Sequence, residues 1–214
     1  MQTVPRRILW LQAITILWMA LEVGVAISAA AAAHSPALFA FGSDSIVELL
    51  SALVVLLPWL TRTRLTRTRT TQTRTTLTPT TNFVSHHLAA RASGFLLILL
   101  AFVVACLAAL SLALHLSPVP SRAGIAITAA ALIVMPVLAA LKRREAARTG
   151  NIALSADAVQ SAACAWIALF ALIGLAANAV FHIQWIDPLA ALAIVPLLIH
   201  EGRAALRGQT CGCC

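Results

Sequence analysis

The chain has 214 residues, of which 61% are hydrophobic and only 10% charged, with a formal net charge of +8 and a mean hydropathy of +0.93. A soluble domain of this length has no interior large enough for so much apolar surface, whereas a bilayer solvates it directly. The positive charge is not a nucleic-acid footprint, because nearly all the arginines and the single lysine lie between apolar runs, where basic residues set membrane orientation.

The first apolar run, Ile8 to Ala33, follows a short basic start and imitates a signal peptide. It contains Glu22, lacks a cleavage context and is followed by further hydrophobic runs, so it reads as a retained helix. The others are Ala37 to Leu60, Leu88 to Leu116, Ala123 to Leu141, Ile152 to Phe181 and Ile186 to His200. All but the last reach or approach the roughly 20 residues that cross a hydrocarbon core. The last is short and holds Pro188 and Pro196; it is predicted to start obliquely at the interface, anchored by Trp185, and to extend toward Leu206. The expectation is an all-α fold, a polytopic six-helix transmembrane bundle. Its order is an N-terminal segment 1–7, helices one and two over 8–60, a basic low-complexity loop 61–87, helices three to six over 88–206 and a Cys-rich tail 207–214.

Basic residues alternate with the helices. Arg6 and Arg7 precede helix one, Arg62, Arg64, Arg67, Arg69, Arg74 and Arg91 fall between or flank helices two and three, Lys142, Arg143, Arg144 and Arg148 follow helix four, and Arg203 and Arg207 follow helix six. The opposite intervals hold only Arg122, so both termini are expected in the cytoplasm, with a bacterial inner membrane as the expected location. The Thr61 to Thr80 stretch alternates threonine with arginine and has no apolar face to pack, which predicts a cytoplasmic loop. His86 and His87 stand at the mouth of helix three, as incidental interface residues or as ligands. There is no phosphate-binding loop and no dinucleotide fingerprint, so transport would run on a gradient. No nucleophile paired with a base supports an intramembrane enzyme. The five cysteines form no disulfide framework: Cys211, Cys213 and Cys214 crowd the tail, where they offer metal capture or redox chemistry, while Cys106 and Cys164 sit in apolar runs.

The polar residues inside the runs carry the functional expectation. Asp44 and Glu48 in helix two are four residues apart, on one face one turn from each other, and Ser51 extends that face. Two carboxylates in a bilayer repel one another unless one holds a proton or a cation sits between them, which couples a protonated empty state to a deprotonated loaded one. The alternative is that they bond to neighbouring helices and hold the bundle together. In helix five, Asp157, Gln160, Ser161 and Cys164 fall within about one third of the circumference. Gln160 offers a carbonyl oxygen and Cys164 a thiolate, a donor set suited to zinc, cobalt or cadmium, and Asp157 is either a further ligand or a helix cap. Glu22 in helix one is placed in a polar network or proton path, and His34 in the first external turn either meets an exiting ion or is incidental. Asp187 and Pro188 start helix six, and Asn178 and His182 need no special role.

The phrases His34-Ser35-Pro36-Ala37-Leu38, Gly42-Ser43-Asp44-Ser45 through Glu48, Leu154-Ser155-Ala156-Asp157-Ala158 and Trp185-Ile186-Asp187-Pro188 together resemble the transmembrane domain of the cation diffusion facilitator family. The resemblance implies six helices with cytoplasmic termini, commonly dimeric, exporting a divalent metal against proton influx with no resident cofactor. Helices two and five of that family each give two ligands, which carries onto Asp44 and Glu48 and onto Gln160 and Cys164. The helix-five pair departs from the family's histidine or aspartate followed by aspartate, and the cytoplasmic domain that commonly follows helix six is not expected here. Membrane contacts would then supply a homodimer interface. A nontransporting metal sensor or scaffold of the same fold is the other reading.

Overall fold

The computed structural model describes residues 6–65, 80–116, 118–150 and 152–207. They form six α-helices: α1 (Arg6–Ala33), α2 (Pro36–Leu65), α3 (Thr80–Ala113), α4 (Arg122–Thr149), α5 (Ile152–Phe181) and α6 (Ile186–Leu206), with no strand among the described residues. Five of them hold stretches long and apolar enough to cross a membrane: Trp10–Ala33, Gly94–Ala113, Arg122–Thr149, Asp157–Phe181 and Ile186–Leu206. In hydrocarbon every backbone N–H and C=O must be satisfied within the segment, which a helix achieves. The chain is an integral membrane protein built as a helical bundle.

Helix boundaries differ from the sequence reading where polar residues were taken as loop. The stretch after Leu141 is good helix-forming sequence, and α4 continues through it to Thr149, supported by an Arg148–Glu145 pair one turn apart at 3.1 Å. It closes on Gly150, whose φ of 64° is the left-handed conformation a helix C-cap favours. Lys142 is thus not a loop residue, and only Gly150 and Asn151 separate α4 from α5. At the other basic interval α2 runs on to Leu65 and α3 begins at Thr80, so helix takes up both ends of the expected 61–87 loop. Positions 66–79 and the cysteine tail over 208–214 lie outside the described residues, as do the side chains of Ser51, His86 and His87.

Three histidines explain themselves through the backbone. His34, His115 and His182 follow the ends of α1, α3 and α5 within two residues, all at the end of the bundle opposite the basic intervals. Each has a positive φ, of 53°, 51° and 57°. Histidine is among the few non-glycine residues enriched in this left-handed region, which turns the chain out of a helix. His182 keeps the last turn closed by donating its backbone N–H to Asn178 O at 3.0 Å.

Helix α1 packs on α2 and α4, and α5 packs on α4 and α2, so these four close a ring; α3 and α6 pair with each other and lie against α2, with α6 also on α5. Small residues permit the close approaches, as in other membrane bundles. A Cβ on Gly94 of α3 would stand 2.7 Å from the carbonyl oxygen of Gly202 on α6, and one on Gly202 would stand 2.8 Å from Ile98 and 3.0 Å from Gly94 O. The backbones therefore touch at this crossing. Gly202→Val is expected to lower the stability of the detergent-solubilised protein by about 1–3 kcal/mol, the usual cost of overpacking, read as a drop in its melting temperature.

Candidate functional site in the bundle interior

The surface is rich in large apolar side chains, and a set of polar ones lies within the apolar core. Large apolar side chains such as Leu17, Phe102, Ile133 and Val180 are exposed, while Gln12, Thr15, Glu22, Asp44, Ser45, Glu48, Lys142, Asp157 and Ser161 are buried. Helical periodicity puts them there. On α1 the buried positions advance through Gln12, Thr15, Met19, Glu22 and Ala26; on α2 through Phe41, Asp44, Ser45 and Glu48. On α5 they advance through Leu154, Asp157, Ser161, Cys164, Ala168 and Ala171. Three stripes that would be apolar in an ordinary core are interrupted at matching depths by acids and hydroxyls.

The middle of the interior is acidic. Glu22 is fully buried; one carboxylate oxygen accepts the indole N–H of Trp18 at 2.7 Å and the other accepts the hydroxyl of Ser45. The Cys164 thiol donates to that second oxygen at 3.8 Å. Asp44 and Glu48 project from α2 one turn apart, both buried. Asp44, Glu48 and Glu22 lie within electrostatic reach of one another, and the thiol lies within reach of all three. Helix one thus contributes a third acid beside the two on α2.

Toward the basic end lies a buried cation. Lys142, with none of its side chain exposed, donates to Asp157 Oδ2 at 3.0 Å and to Ser161 Oγ at 2.8 Å. Gln12 Nε2 reaches the same Asp157 oxygen at 3.1 Å. Ser161 in turn donates to Glu48 Oε1 at 2.7 Å. A hydrogen-bonded chain therefore runs from α1 and α4 through α5 to the acidic pair on α2.

The expected sites fare differently. Asp44, Glu48 and Cys164 are all buried in the interior. Asp157 stands a turn inside α5 rather than at its cap, and it is the counter-ion of Lys142. Gln160 falls beside the buried stripe of α5, half-exposed, with its Nε2 lacking a hydrogen-bond partner among the described residues. Ser161, its neighbour, is the residue that meets Glu48. Among the described residues no three histidine, cysteine, aspartate or glutamate side chains converge as a ready-made metal cage. Lys142 and Gln12 were missed. The signal for Lys142 was the stripe Met135, Leu138, Ala139, which its position continues by one turn once α4 is allowed to run on.

A second polar lock closes the opposite end. Ser35 caps α2 by accepting the Leu38 N–H at 3.1 Å and donates its own hydroxyl to Asp187 Oδ1 at 2.8 Å. Asp187 is fully buried and ties α6 to the start of α2, where the sequence reading had it only starting its own helix. Asn178 likewise has a structural role, donating to Pro118 O at 2.9 Å. Trp185 is exposed at the start of α6, as an interfacial anchor would be.

No protein-family model matches the chain, and no curated protein matches it. The site therefore has to be read from its own chemistry.

Removing one partner of a buried ion pair strands the other. Lys142→Met is expected to cost about 3–5 kcal/mol in a denaturant titration of the solubilised bundle, and Lys142→Met with Asp157→Leu to recover most of the loss. A single variant as stable as the parent would show that the pair is not stabilising the interior.

Proposed function

We propose that the chain exports a divalent transition-metal cation, zinc, cobalt or cadmium, in exchange for protons. The observation that carries this reading is the burial of Glu22, Asp44, Glu48 and Cys164 in one interior, with the Cys164 thiol donating to Glu22. A membrane interior holds so much negative potential only at a cost, and such groups mark ion and proton pathways. Protons and a divalent cation are interchangeable ways of neutralising the same carboxylates, so loading with one expels the other. The mixture of oxygen donors with a thiolate favours the softer divalent metals over magnesium.

The resemblance to cation diffusion facilitators points the same way, since it too puts the acidic half of the site on the second helix and a partner half on the fifth. On this reading the fifth-helix half is Cys164, Ser161 only bonds to Glu48, and Glu22 of α1 supplies the acid that Gln160 cannot. With the basic intervals in the cytoplasm, metal enters past Lys142 and Asp157 and leaves at the Ser35–Asp187 end. Asp44 and Glu48 then take up protons from outside.

A nontransporting sensor of the same fold is the second reading. It is favoured by the resident Lys142 cation, which balances charge in the interior without any bound metal. It predicts metal binding without turnover.

Proteoliposomes loaded with a metal-sensitive dye separate the two readings. Export predicts uptake of zinc, cobalt or cadmium that accelerates with an opposing pH gradient. Asp44→Asn is expected to abolish that flux, and Cys164→Ser to shift preference from cadmium toward cobalt because it removes the soft donor. No metal-dependent flux through the intact chain would leave the sensor reading.

A further inference from the structure

We propose that Lys142 is a resident cation that holds Glu48 in the cargo-free state, and that an incoming divalent cation displaces it, with Ser161 as the joint between them. This rests on the metal-transport reading above and names the group with which the cargo competes.

The donor accounting fixes the direction of the joint. A serine hydroxyl has one proton to give. Ser161 accepts from Lys142 at 2.8 Å, and its proton is directed to Glu48 Oε1 at 2.7 Å in preference to the more distant Asp157 carbonyl at 3.2 Å. Glu48 is thereby approached as an acceptor, on the side facing α5. Lys142 also acts on Glu48 through space.

Acidic groups outnumber basic ones around this joint. Glu22 from α1, Asp44 and Glu48 from α2 and Asp157 from α5 are four buried carboxyl groups, and Lys142 is the one buried ammonium among the described residues of the core. Glu201 of α6 adds a further negative influence on Asp44. A divalent cation would take the place of protons on these carboxyls.

Lys142 can yield without being stranded. Its second partner, Asp157 on α5, is itself steadied by Gln12 of α1. When a metal engages Glu48, the ammonium falls back on Asp157 and keeps a counter-ion. A lysine suits this role because its flexible stem carries rotatable donors that exchange partners readily.

The test uses the purified full-length chain, with Co2+ binding measured by equilibrium dialysis and helix content by circular dichroism. Lys142→Gln combined with Asp157→Asn removes one charge of each sign and keeps hydrogen-bonding groups in place, so the interior is not left with a bare ion. It is expected to bind Co2+ about tenfold more tightly than the parent chain, the scale on which residues behind metal ligands act. Ser161→Ala, which detaches the ammonium from Glu48 without changing charge, is expected to tighten binding by a smaller factor, and Lys142→Arg to return the parent affinity. Unchanged or weaker Co2+ binding in both the paired variant and Ser161→Ala overturns the proposal. Tighter binding in the variants with no metal flux in the parent upholds the resident cation and removes transport. Flux in the parent with unmoved affinity in the variants does the reverse, and no Co2+ binding by any of the chains overturns both.

Discussion

The interior of this bundle is governed by the Lys142–Asp157 ion pair and its extension through Ser161 to Glu48. Charges cannot stand alone in hydrocarbon, and their removal from water is repaid only by close opposite charges and satisfied hydrogen bonds. The extra turns of α4, the match in depth of polar stripes on α1, α2 and α5, and the closed ring of four helices all follow from bringing these groups within reach. A bundle assembled from apolar side chains alone would have no reason to fix its helices in one rotation about their axes, because lipid and leucine are equally apolar. Polar partners at defined positions supply that reason.

Polarity is layered along the bundle axis. Gln12, Asp157 and Lys142 form a lock toward the basic end, Glu22, Ser45, Asp44, Glu48, Ser161 and Cys164 occupy the middle, and Ser35, Asp187, Asn178 and the turned histidines close the opposite end. Between and around these layers the core is largely alanine and other apolar residues, including Ala26, Ala40, Ala101, Ala168 and Ala171. Small side chains bring the helix axes near enough for short polar groups such as serine to bridge them. Larger ones would hold the acids of α2 beyond the reach of α5.

Much of this was legible in the sequence. The six helices, the inward acids Asp44 and Glu48 and a polar face on helix five follow from hydropathy and a period of about 3.6 residues. What escaped was the handling of charge near helix ends. A lysine beside two arginines reads as a surface residue, and only the tertiary partner Asp157 shows that it is not. That Ser161, and not its sequence neighbour Gln160, meets Glu48 escaped for a related reason: consecutive residues point about 100° apart, and which one faces α2 depends on the rotation of α5, fixed by contacts distant in sequence. Helix α4 runs past the apolar stretch because Lys142, its two arginines and Glu145 are helix-forming residues and Lys142 and Ala146 are buried.

The hydrogen bonds also divide the ring into two halves. Glu22 and Ser45 join α1 to α2, while Lys142 joins α4 to both Asp157 and Ser161 of α5. Across the seam between the halves run Gln12 to Asp157, Ser161 to Glu48 and the Cys164 thiol to Glu22. The ion pair thus lies within one half, and the seam is crossed by single hydrogen bonds. Alternating access requires a boundary of this kind, where two bodies part and close around a fixed centre while each keeps its own strong contacts. The acids and the thiol lie along that boundary, so on the proposed transport reading an ion bound by Glu48 and Cys164 would be gripped by both halves at once, and its arrival or departure would bias how they sit together.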